Sequence, residues 1–189
     1  MTFLFTETRN HALLALVIRE AAKAAKENRG YVGRTAVQKI MYFLYVNGVP
    51  MGYRFDLYHY GPFSDKIISD IEWLVADDVI AEQSQKPEKY SNYAPGVGAE
   101  EFLAKFSQDL APVLLQVEKT VGLLAPMKPE KLELLATLDY IYRQEKSAGK
   151  KPLREAVVSR LQKVKPDKFA QGDVEQAYDE MIELGCNEA

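Results

Sequence analysis

Cysteine is nearly absent from this chain, with one residue at Cys186. A lone thiol forms no internal disulfide and anchors no metal cluster, so a reducing cytoplasm is the expected compartment. Cys186 itself reads as an incidental residue beside a terminus rather than a reactive nucleophile. Histidine is also scarce: His11 and His59 are the only two, and neither has a Cys, His or carboxylate at metal-motif spacing. No metal and no cofactor are therefore expected. There is no G-x-S-x-G, and Gly30-Tyr31-Val32-Gly33 and Gly96-Val97-Gly98 lack the lysine and spacing of phosphate loops. With no catalytic constellation in view, the expectation is a chain that is not an enzyme. MTFLFTETRN lacks the basic start and apolar run of a signal peptide, and no stretch approaches the roughly 18–20 apolar residues of a membrane span.

A charge excess is missing as well. Twenty-four Lys and Arg face 27 Asp and Glu, a formal net charge of −3. Divided after Val97, the first part holds eleven of each sign and the second holds thirteen basic and sixteen acidic residues. Neither part is a polycation, which disfavours generic nucleic-acid binding. A local basic face stays open: Arg29, Arg34 and Lys39 surround one helix, Arg54 and Lys66 flank an aromatic strand, and Lys86 and Lys89 sit on a hairpin tip. Of these, Arg34, Lys39, Lys86 and Lys89 are the candidate phosphate contacts. Glu82, Glu88, Asp65 and Asp70 are interleaved with them, as on an ordinary solvated surface.

What is present is helical periodicity. Leu13, Leu14, Val17, Ile18 and Ala21 recur at helical spacing over Asn10–Glu27, with Thr8 or Asn10 as cap. A second helix opens at Gly33-Arg34-Thr35, where Thr35 and Gln38 fit a capping box, and buries Val37, Ile40, Met41 and Leu44. A third is capped by Ser64 and runs to about Asp77. Val79–Gln83 and Tyr90–Ala94 read as two strands joined by the polar tip 84–89, and Pro95-Gly96-Val97-Gly98 as a turn. Everything beyond is helix: Glu100–Leu124 broken near Pro112, then Lys131–Glu145, Leu153–Val164 and Asp173–Leu184. The expected fold class is α+β and predominantly helical. A winged-helix-like unit with a small β-wing (1–97) packs against a helical unit (98–189), the two forming one globular body.

The densest feature is YRFDLYHYGPFSDK, with five aromatic rings between Tyr53 and Phe63. Period-two alternation predicts a strand with Tyr53, Phe55 and Leu57 on its core face and Arg54, Tyr58 and Tyr60 on the other. Gly61-Pro62 then reads as the joint from strand to helix. Tyr and Arg together are what protein interfaces enrich, so Arg54, Tyr58 and Tyr60 are the candidate protein-binding residues. Helices from the second half covering the same row is an equally good expectation.

The run Ala36–Ile67 resembles the core pattern of the Panacea (SocA-like antitoxin) domain family and the YwgA-like bacterial proteins. The resemblance is carried by Gln38-Lys39-Ile40-Met41-Tyr42, a glycine turn, an aromatic segment, and Tyr60-Gly61-Pro62 ahead of a helix. Leu132–Arg143 and the Lys165-Pro166-Asp167-Lys168-Phe169 ending are similar to the same relatives. It implies a mostly helical, non-enzymatic antitoxin that neutralises a partner protein, such as a toxin encoded by a neighbouring gene, or delivers it to a protease. The family motif falls on Lys39, Tyr42, Tyr60, Gly61 and Pro62. The residues themselves favour a structural role for Lys39, Tyr42, Gly61 and Pro62, with Gly61-Pro62 setting a turn and Tyr60 near Lys39 and Tyr42. The alternative function is a winged-helix DNA-binding transcriptional regulator.

Overall fold

The computed structural model describes residues 2–27, 31–83, 91–149 and 152–183. In chain order, helices α1 (Arg9–Glu27) and α2 (Arg34–Val46) precede a hairpin of β1 (Asp56–Tyr58) and β2 (Gly61–Phe63). Helix α3 (Asp65–Ala76) and a second hairpin, β3 (Ile80–Glu82) and β4 (Tyr93–Pro95), follow. The remainder is helical: α4 (Ala99–Lys105), α5 (Ser107–Leu110), α6 (Leu114–Leu124), α7 (Pro129–Ser147), α8 (Arg154–Val164) and α9 (Gln171–Glu183). The chain is thus α+β and predominantly helical, with two small antiparallel sheets among the described residues.

Local chemistry sets several of these boundaries. Thr8 caps α1, its Oγ1 accepting from the His11 N–H at 3.3 Å. Pro112 lies in a 3-10 turn, Ala111–Val113, that separates α5 from α6, where the missing N–H and fixed φ of proline break the longer apolar run. The turn after β4 needs Gly96, because a Cβ there would lie 2.1 Å from the Asp78 carbonyl oxygen. The Asp77 carboxylate accepts the N–H groups of Leu4, Phe5 and Thr6 and the Thr6 hydroxyl, tying the N-terminal segment to the end of α3. Burial opposes its ionisation, yet these bonds hold Asp77 below the ordinary carboxylate range.

Two expectations are corrected. The capping box at Thr35 does not form: α2 starts at Arg34 behind Gly33, without a side-chain cap. Gln38 instead exchanges two hydrogen bonds with the backbone of Ser64, at 2.9 and 3.0 Å. The single strand ending at Gly61-Pro62 is in fact a hairpin. Asp56, Leu57 and Tyr58 pair with Phe63, Pro62 and Gly61, so Gly61-Pro62 begins the returning strand and His59-Tyr60 make the turn. Burial does alternate from Tyr53 to Tyr58, but the ladder claims only the last three of those residues.

The second hairpin pairs Ile80 with Pro95 and Glu82 with Tyr93. Its tip, with Lys86 and Lys89, lies outside the described residues, as do the helix-ending Asn28-Arg29-Gly30 and the stretch holding Leu184 and Cys186.

The core is continuous across position 97. Leu13, Leu14 and Ile40 from the first half share it with Val117, Leu135 and Leu138 from the second. Helix α2 packs on α7 and α6, and α1 packs on α6. Ala36–Leu44 of α2 and Leu132–Asp139 of α7 are buried without interruption, so over these stretches the two helices are enclosed on every side. Such helices ordinarily carry only apolar residues. These two also carry Gln38, Lys39, Tyr42, Glu133, Thr137 and Asp139, all buried. No single helix among the described residues is long and apolar enough to cross a membrane.

Candidate functional site

The buried polar residues of α2 and α7 clamp the first hairpin. Lys39, 1% exposed, donates from Nζ to the Pro62 carbonyl oxygen at 2.7 Å. Proline has no N–H for the ladder, and here its carbonyl is taken by a side chain from α2. Gly61 meets α7: its φ is +82°, and a Cβ would lie 2.6 Å from Thr137 Oγ1. The Thr137 hydroxyl is fixed in turn by donating to the Glu133 carbonyl at 2.7 Å. Only glycine satisfies both the left-handed conformation and this contact. One turn further along, the Tyr42 hydroxyl donates to Asp139 Oδ2 at 2.7 Å, and Arg143 Nε donates to the same oxygen at 2.8 Å.

The electrostatics follow from burial. Desolvation pushes the Lys39 ammonium down to about 8, with Glu133 opposing and Lys165 and Lys168 adding to the effect. Burial raises the Asp139 carboxyl, against the opposing bonds from Arg143 and Tyr42. The Tyr42 hydroxyl is driven far up by burial and by Asp139, so it stays a proton donor. Lys39, Tyr42, Gly61 and Pro62 are all interior residues; Lys39, Gly61 and Pro62 make the contacts that hold the hairpin, and Tyr42 joins α2 to α7 through Asp139.

What this scaffold presents to solvent is aromatic. Tyr58 is 61% exposed and Tyr60 is 62% exposed, so helices of the second half do not cover them. The Tyr58 ring stacks on Phe63 at 5.7 Å and meets His59 edge-on at 4.9 Å. Tyr60 stands at the turn with Lys168 Nζ 4.8 Å and Lys165 Nζ 5.9 Å from its ring centroid. Those two lysines come from the turn between α8 and α9 and share one carboxylate. Lys165 donates to Glu133 Oε1 at 2.9 Å, and Lys168 reaches both oxygens at 2.7 and 2.8 Å. Lys165 also donates to the His59 carbonyl.

Arg54 is exposed and borders one recess of about 420 Å³ with Tyr58, Asp56 and Lys66. Tyr58 also borders a second, of about 450 Å³, with Leu57, His59, Val164 and Lys168. Arg54 and Tyr58 therefore meet at one recess, whereas Tyr60, in the turn next to Tyr58, faces Lys165 and Lys168. Strand alternation placed all three together, but Tyr60 is a turn residue and leaves the alternating row.

Of the candidate phosphate contacts, only Arg34 and Lys39 lie among the described residues. Lys39 is a correction: enclosed and bonded to Pro62, it has no path to a phosphate. Arg34 donates to the Tyr93 hydroxyl at 3.1 Å and lies 3.9 Å from Glu82. Lys86 and Lys89 fall outside the described residues. Sequence reasoning missed Glu133, Lys165 and Lys168 at the hairpin. The one signal available was the Lys165–Phe169 ending, which resembled relatives without suggesting a place in the fold.

A separate groove of about 520 Å³ lies between α2, α7 and α8, lined by Tyr45, Phe55, Tyr140, Arg143 and Arg160. Its guanidinium groups are engaged, Arg143 with Asp139 and Arg160 with Glu145 and Gln144. No family model and no curated sequence matches this chain.

Proposed function

We propose that the chain is a non-enzymatic, cytoplasmic protein-binding module resembling Panacea-type antitoxins, and that it neutralises or delivers a partner protein by direct binding. The observation that carries this reading is the exposed pair Tyr58 and Tyr60, held on a hairpin clamped by buried Lys39, Gly61 and Thr137. Large aromatic side chains lose little conformational entropy on binding, and less still when their backbone is already fixed. Tyr58 and Tyr60, with Arg54 at the adjoining recess, are the contact residues. Lys39, Gly61 and Pro62 shape the hairpin, and Tyr42 joins α2 to α7. Within this reading residues 1–97 form a winged-helix-like unit and 98–189 a helical unit. The packing of α1 on α2 and α3, and the antiparallel β3–β4 pair in the place of a wing, support that likeness.

Co-expression with the product of the neighbouring gene tests the function. The expected result is a purified complex and relief of toxicity, both lost in the Tyr58→Ala/Tyr60→Ala double variant. Because the two rings are exposed, the variant is expected to keep its thermal stability within about 1 kcal/mol. A complex that forms equally well with the double variant would remove the hairpin from the interface.

A further inference from the structure

We propose that the hairpin tip and the α8–α9 turn form a seat for an acidic segment of a partner protein. Lys168, backed by the buried Lys165, receives a side-chain carboxylate there, and Tyr58 and Tyr60 cover its neighbours. This rests on the protein-binding reading above and adds the chemistry of the partner.

Charge complementarity carries the inference. Lys165 and Lys168 share a single carboxylate, Glu133, and the buried Lys39 ammonium lies within the field of all three. Glu133 is divided between Lys165 and Lys168, and Lys39 is bonded to a neutral carbonyl. The cluster therefore holds more positive than negative charge in a poorly solvated setting, where a further carboxylate is attracted more strongly than at an open surface. Lys168 is the accessible member, its side chain 34% exposed.

The adjoining recess of about 450 Å³ offers Leu57, Tyr58, His59 and Val164 beside Lys168, room for one or two side chains. Val164 is exposed there although it ends an amphipathic helix. An acidic residue next to an apolar one fits this seat. A nucleic-acid strand fits worse, because the seat offers one accessible ammonium, Lys168, beside the exposed Asp167, whereas a run of phosphates needs several cations.

The test pans a random heptapeptide phage library against the full chain, with counter-selection on Tyr60→Ala. Selected peptides are then remade with a fluorescent label for anisotropy. Enrichment of Asp or Glu beside an apolar residue is expected. Lys168→Gln should weaken binding on the order of tenfold, Lys168→Arg should stay within about twofold, and Lys119→Gln on α6 should have no effect. Thermal unfolding of each variant separates loss of binding from loss of fold. Peptides that depend on Tyr60 but show no acidic enrichment would overturn this inference and leave the binding face standing. Recovery of no Tyr60-dependent peptide would overturn both. Tighter Tyr60-dependent binding of a labelled oligothymidylate would overturn the inference in favour of a single-stranded nucleic acid.

Discussion

Lys39 is the residue on which most of the buried chemistry converges. An ammonium enclosed in the core is costly unless its donors are taken, and the Pro62 carbonyl takes one of them. The cost is visible in its titration, which falls from the ordinary 10.5 to about 8. Between these two values the unfolded chain holds a proton that the folded chain has released. Folding stability contributed at this site therefore rises with pH across that window, by a total on the order of 3 kcal/mol. Below about pH 8 the charged form is present in both states and the penalty is constant. Urea denaturation at stepped pH should show wild type gaining stability from pH 8 to 10 relative to Lys39→Met, which lacks the titrating group. Parallel pH profiles for the two proteins would show that Lys39 is not desolvated in solution.

At the scale of the element, the β1–β2 hairpin is too short to stand alone, since two strands of three residues bury little by themselves. It is held because α2 and the α8–α9 turn supply partners for its backbone, and α7 a surface on which only glycine fits. Gly61→Ala combines a strained φ with a contact of 2.6 Å to Thr137 Oγ1. Thr137→Ala in the same chain should remove the contact but leave the strain. The expected pattern is a loss of about 2 kcal/mol or more for Gly61→Ala, of which the double variant recovers part. A double-mutant cycle by thermal or urea unfolding measures that coupling. Additive losses would mean that the hairpin does not rest on α7 as described. The same dependence explains why Tyr60-Gly61-Pro62 is conspicuous in the sequence: two of its three residues are interior fittings, and only Tyr60 faces solvent.

For the molecule as a whole, the division suggested near Val97 crosses a shared core and shared polar bonds. Tyr42 bonds to Asp139, and Gln116 donates to the Asn47 carbonyl at 2.7 Å. Separated from the second half, residues 1–97 would expose the faces of α1 and α2 that pack on α6 and α7, together with the Tyr42 hydroxyl and the Lys39 ammonium. That fragment is expected to lack a cooperative thermal transition by circular dichroism and to bind a hydrophobic dye, whereas the full chain unfolds in one transition. A fragment that melts cooperatively would establish an autonomous unit ending near residue 97.

Local pattern alone determined most helices and their limits. The spacing of Leu13, Leu14, Val17 and Ile18, the break at Pro112 and the turn at Gly96 are short-range effects of burial, a missing donor and close backbone approach. It also separated the enclosed Tyr53 and Phe55 from the exposed Arg54 and Tyr58, because strand-like alternation survives beyond the ladder itself. Tertiary structure decided the rest. Gln38 fits a capping box by spacing, yet its amide is claimed by Ser64, 26 residues away. Lys39 carries two readings in the sequence, a structural residue and a phosphate contact, and only its enclosure and its bond to the Pro62 carbonyl remove the second. Glu133, Lys165 and Lys168 meet His59 and Tyr60 only because α7 and the α8–α9 turn pack against the hairpin. Periodicity reports which side of an element is buried; only the packing of distant elements settles which polar groups find partners there and which aromatic rings remain in water.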